Sequence, residues 1–157
     1  MSSGRIYTAV FSATAVTAAQ DLFELVAPSD SIVVIHELDI SQTSDVGDAA
    51  EELLLITMKS GATTSGSGGS SVTPVPKNFG DAAFGGTCEA NNTTVAADGT
   101  IVTHRATAWN VRAPLSIIWT PETRPILSPS RRWVVSIPAP ADSLTMNGTL
   151  VFEEIGG

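Results

Sequence analysis

Two histidines, one cysteine and a serine-rich tract are the residues of this 157-residue chain best equipped for chemistry. A zinc site gathers three or four His, Cys or carboxylate ligands, whereas His36 and His104 each stand alone in a strand-like run. His36 shares the parity of Ile32, Val34, Leu38 and Ile40, which makes it a core or interface histidine; His104, among Thr103, Arg105 and Thr107, falls on an exposed polar strand face. Cys88 has no histidine near it in sequence and reads as a small buried hydrophobe. As the sole cysteine it excludes an intrachain disulfide.

The serines of SGSGGSS lack the strand and helix that flank a nucleophile elbow, and the tract lacks the lysine that ends a P-loop. DVGD at Asp45 to Asp48, with Asp39 upstream, has neither the spacing nor the closing glutamate of an EF-hand and reads as a solvated acidic turn. The sequence therefore predicts no enzyme, no metal site and no cofactor. Binding has better candidates. Trp109, Trp119 and Trp133 lie close to arginines, and Trp with Arg is the pairing enriched at interaction hot spots. Trp119 is expected in the core, while Trp109 and Trp133, with Arg112, Arg131 and Arg132, are candidate partner contacts.

Composition narrows the partners. With 16 acidic against 8 basic residues the net charge is −8, the wrong balance for gripping a phosphate backbone, so no nucleic acid is expected. No apolar run approaches the ~18 residues of a membrane span, so no membrane is expected either. Yet 43% of residues are hydrophobic and only 15% charged, a surplus of apolar surface that points to a homo-oligomer, dimer or trimer. The start, MSSGRIYTAVFSATAV, has no unbroken apolar signal region, which implies cytoplasmic synthesis. Charge is also unevenly placed. Five arginines lie between Gly99 and Trp133 against Glu122 alone, and residues 21 to 52 carry nine acids; scattered solvated charge is the first reading, and acidic and basic faces that meet between subunits or on a larger assembly are the sharper alternative.

The elements that would position these residues are strands. Alternation puts Tyr7, Ala9 and Phe11 on one face of residues 5–12, and residues 21–27 and 31–41 follow around a PSDS turn. EELLLITM at 51–58 is apolar on both sides, as for a strand in mid-sheet or under an interface. Residues 86–94 and 100–111 flank an Asp98-Gly99 step, a strong hairpin signal that predicts their pairing. Further strands are read at 114–120, 132–137 and 144–154, the last continuous through Asn147-Gly148 with room for a bulge. TAAQ at 17–20 and DAAE at 48–51 compete as short helix starts. The sum is a single all-β domain spanning 1–157: an antiparallel β-sandwich of about eight strands, jelly-roll-like.

One tract does not fit a sandwich. SGATTSGSGGSSVTPVPKN, from Ser60 to Asn78, is far longer than the ~4 to 6 residues of an ordinary connection. Its first half reads as supple and VTPVPKN as an extended arm. Ser65, Val72, Pro74, Val75, Pro76 and Lys77 are therefore candidate contacts with a neighbour, and removing residues 61 to 73 is expected to leave a folded protein that has lost its partner.

The strings DLFELVAPSDSIVVIHELDISQTSDVGDAAEELLLITMKSGATTSGSGGSSVTPVPKN, EANNTTVAADGT and PAPADSLTMNGTLVFEE resemble small virion structural proteins of tailed bacteriophages and prophages. The resemblance implies a capsid decoration or cement protein on the virion exterior, a homo-oligomer that binds and stabilises the major capsid protein shell without catalysis. The alternative is a tail- or head-fibre-associated module recognising a host surface glycan.

Overall fold

The computed structural model describes residues 4–44 and 52–156, and within them all regular structure is β. The strands are Arg5–Val16 (β1), Gln20–Val26 (β2), Ser31–Gln42 (β3), Leu53–Ser60 (β4), Ser70–Ser71 (β5), Val75–Pro76 (β6), Thr87–Asn92 (β7), Val102–Asn110 (β8), Leu115–Ile118 (β9), Ile126–Leu127 (β10), Arg132–Ile137 (β11) and Leu144–Gly156 (β12). Eight of them build two facing sheets, β1-β12-β3-β9 and β2-β11-β4-β8, with every pairing antiparallel. This is the strand order of a jelly roll. The remaining four are additions: β10 joins β3 beside β9, β6 extends the first sheet past β1, and β7 with β5 extends the second past β2.

The core follows the period-two patterning. Tyr7, Ala9 and Phe11 point inward from β1, and Leu144, Met146, Leu150 and Phe152 keep one parity along the unbroken β12. The bulge foreseen near Asn147 falls on the partner strand instead, where Ala13 adopts a positive φ and its N–H donates to Asn147 Oδ1. Gly148 leaves room for the tilted Phe11–Phe23 pair, whose ring centroids lie 5.1 Å apart; a Cβ there would strike both rings.

Three local readings change. Thr17 to Ala19 form the turn into β2 rather than a helix, and the competing start at 48–51 lies outside the described residues. In β3 the pairing with β12 steps from Glu37↔Val151 to Ile35↔Phe152, making His36 a bulged residue. A bulge reverses parity, so Val33 and Ile35 face the core before it and Leu38 and Ile40 after it, while His36 pairs with Glu153 at 3.0 Å. The Asp98-Gly99 step does adopt the positive φ that its residue types favour, but it does not join a hairpin of its flanking strands. Instead β7 pairs with β2 and β5, and β8 pairs with β4.

The reason lies in the chain between β4 and β8. Its two limbs run antiparallel to one another, with Ser60 opposite Val102, Thr64 opposite Ala97, Ser67 opposite Thr94 and Ser70 opposite Ala90. This ribbon leaves the β8 edge of the second sheet and reaches β2 at the other edge through β7, crossing the outer face over β11 and β2. Ala62 and Ala96 pack there on Val134. Beyond β5 the chain passes through the buried Pro74 to β6, which pairs with Tyr7 and Thr8 and closes the flank between β1 and β2. Phe84 then packs on Tyr7 and Phe152. The Ser60 to Asn78 tract is thus built into the fold rather than extended from it.

Candidate functional site

Sealing one flank leaves the other bare. On that side β8 ends the second sheet and β9 and β10 end the first, and among the described residues no further strand pairs with them. An uncapped edge strand offers unpaired N–H and C=O groups to any passing chain. The bulge at His104, set by Met58↔Arg105 and Lys59↔Thr103, interrupts the near end of β8 and leaves residues 105–110 as a regular edge. Beside it on the outer face stand Leu53 and Leu55, 69% and 51% exposed, while their neighbours Leu54, Ile56 and Met58 fill the core. Ile118 and Ile126, on β9 and β10, are 75% and 65% exposed.

Between these edges lies a cavity of about 660 Å³. Arg105 enters from β8, Arg124 from the β9–β10 connection, and Arg131 and Arg132 from the start of β11, over a floor that includes Trp119 and Trp133. The two indoles meet edge to face at 6.3 Å between centroids. Among the described residues no carboxylate lines the space. Arg132 is neutralised from outside it, donating through Nε to Glu24 Oε1 at 2.5 Å and through Nη1 to the carbonyl of Ala62. Among the described residues, Arg105, Arg124 and Arg131 have no acidic partner within ion-pair distance. Arg124 Nε and Trp133 Nε1 are buried with no hydrogen-bond partner, an arrangement that costs about 1–3 kcal/mol per group.

Ser60 Oγ and His104 Nε2 meet at 2.6 Å on the rim of this cavity. The distance suits a nucleophile and base, but among the described residues no carboxylate holds the other ring nitrogen. Cys88 is buried, and burial pushes its thiol up to about 12, so it stays protonated at neutral pH. Among the described residues no cluster of His, Cys, Asp and Glu has the makings of a metal site; the acidic turn at 45–48 lies outside them.

The tryptophan contacts are corrected by this geometry. Trp109 is 2% exposed with its indole N–H donating to the Ala113 carbonyl, and Trp133 is 1% exposed, so both are core residues that offer a partner almost no surface. Arg112 and Arg131 are exposed, and Arg132 is largely committed to Glu24. Ser65 hydrogen-bonds Glu24, Val72 packs against the core and Pro74 is buried. Val75 and Pro76 form β6, while the side chains of Val75 and Lys77 remain exposed.

No family model, curated protein or solved structure matches this chain.

Sequence reasoning missed the two acids that matter most for the insertion, Asp21 and Glu24. Both sit on the outer face of β2 beneath the ribbon and are 1% and 2% exposed. Glu24 accepts from Ser65 Oγ, the Gly66 N–H, Asn92 Nδ2 and Arg132 Nε; Asp21 accepts from Ser136 Oγ and the Ala96 N–H. A signal was present in QDLFELV, where two acids share a strand with large apolar residues on both faces. Acids so placed need designated partners.

Proposed function

We propose that this chain is a virion structural protein of a tailed bacteriophage, a homo-oligomeric capsid decoration protein that binds the major capsid shell on the virion exterior and stabilises it without turnover. The resemblance supplies the setting, and one observation carries the mode of action: the insertion closes one flank of the jelly roll, while on the other no strand among the described residues pairs with the β8 edge beside Leu53 and Leu55. An open edge with apolar flanking residues suits strand addition, in which backbone bonds give grip and side chains give register. A partner that binds only the assembled shell stabilises it by linkage, in proportion to its occupancy. The glycan-binding alternative loses its main support, because all three tryptophans are buried, at most 6% exposed, too little for an open platform on which a sugar stacks.

The test is co-sedimentation of purified protein with shells that lack it, alongside light scattering for the oligomer. Leu53→Asp with Leu55→Asp, both on the exposed face, should leave the fold intact and abolish oligomer formation, shell binding or both. Unchanged occupancy and mass would remove this flank from the mechanism, and failure of the unaltered protein to bind shells would remove the decoration role.

A further inference from the structure

We propose that the cavity between β8 and the β9–β10 connection binds a small ligand that joins an oxyanion to a flat apolar body. Its lining has two halves that ask for different things. Arg105, Arg124 and Arg131 bring positive charge to one space that no carboxylate among the described residues lines, in a chain whose net charge is −8. Arginine forks match the paired oxygens of carboxylate, phosphate and sulfate groups. The contrast with Arg132 is informative, since that arginine shares the cavity wall yet has its own buried glutamate. Arg5 and Arg132 are thus given acids from within the fold, whereas among the described residues Arg105, Arg124 and Arg131 have none, and Arg105 donates only to the Thr107 hydroxyl.

The other half is apolar. Ile126, 65% exposed, supplies most of the apolar wall, with Leu127, Trp119 and Trp133 contributing small areas behind it, a lining suited to a ring or short hydrocarbon. A volume of about 660 Å³ falls within the ~300–1,000 Å³ of small-molecule pockets. The pocket needs only one copy of the chain, so the inference does not rest on the virion reading.

Phenyl phosphate and benzoate are the probes, with benzyl alcohol as the neutral control. Binding to the purified full chain is followed by tryptophan emission, since Trp119 and Trp133 lie in the wall. Saturable binding of either anion, with none by benzyl alcohol, is the expected result; preference for phenyl phosphate would indicate a phosphate-type ligand and preference for benzoate a carboxylate. Arg131→Gln, at an exposed position, should weaken binding about tenfold as one charged hydrogen-bonding partner is lost. Arg124→Gln should do the same, and Arg112→Gln, outside the cavity, should leave binding unchanged. Equal binding of benzyl alcohol, no binding of either anion at any soluble concentration, or full affinity in a folded Arg131→Gln variant would each overturn the proposal.

Discussion

Glu24 on β2 accepts a hydrogen bond from Arg132 Nε on β11 at 2.5 Å, and the same carboxylate receives the Ser65 hydroxyl and the Gly66 N–H of the insertion. A carboxylate so deep in the fold joins three pieces of chain at once. It lies at the centre of the sheet face that the ribbon crosses, which explains how a tract without apolar patterning still finds a fixed course. Asn92, on the strand that returns from the insertion, completes the set.

Removing one member of a buried pair leaves the other charge uncompensated, which typically costs about 3–5 kcal/mol. Glu24→Ala should fall near the lower end, about 3 kcal/mol, because the Arg132 side chain retains 14% exposure. Chemical denaturation of Glu24→Ala, Arg132→Met and the double variant closes a cycle with a coupling of about 1 kcal/mol or more. Strictly additive losses would mean that the pair is not a unit.

Asp21 predicts a pH dependence of definite sign. Burial raises its pKa above the ordinary 3.8, and the bonds from Ser136 and Ala96 only partly oppose this. The folded state therefore holds the proton more tightly than the unfolded chain does. Its contribution to stability is full below the unfolded value and is lost as pH rises through the higher folded one. Relative to Asp21→Asn, the unaltered protein should gain stability as pH falls from 7 toward about 4, as read by urea midpoints at each pH. A difference that runs the other way, or stays flat, would show that the group is not held as described.

Much of the fold is legible in the residues. Alternation in β1 and β12 gives correct inward faces, and the both-sided apolarity of LLLITM anticipates a strand that fills the core on one side and bares leucines on the other. What local pattern cannot carry is pairing at a distance. Asp98-Gly99 announces that the chain reverses, and it does, but the strands on either side are claimed by β2 and β4 because the ribbon between them has already crossed a sheet. The His36 bulge is equally silent in sequence, since one extra residue changes parity without changing composition. The cavity was half visible. The arginine excess was legible, but that Arg105, Arg124 and Arg131 converge depends on β8 and β9 being the last strands of facing sheets.

Gly148 should tolerate no side chain. Alanine there would drive its Cβ into the Phe11 and Phe23 rings, and overpacking of this kind costs about 1–3 kcal/mol. Thermal unfolding of Gly148→Ala measures the loss. Paired with Phe11→Leu, which frees the space, part of the loss should return; if the double variant is no better than the sum of its parts, the clash is not with that ring.

Deleting residues 61 to 73 separates a structural ribbon from a detachable arm. From its composition the tract reads as an arm, and an arm can be cut without harm to the domain. The pairings argue otherwise, because the deletion removes the partners of Ala97, Thr94, Ala90 and Glu89, withdraws Ser65 and Gly66 from Glu24, and strips Ala62 from Val134. Glu24 would then face solvent on one side and Arg132 on the other, and Asp21 would depend on an Ala96 segment no longer held in place. The deleted protein should unfold at lower denaturant and without a single cooperative transition, whereas Val75→Ser, at an exposed side chain of β6, should stay within about 0.5 kcal/mol of the parent. A deletion variant that unfolds as sharply and as late as the parent would return the tract to the role of an arm.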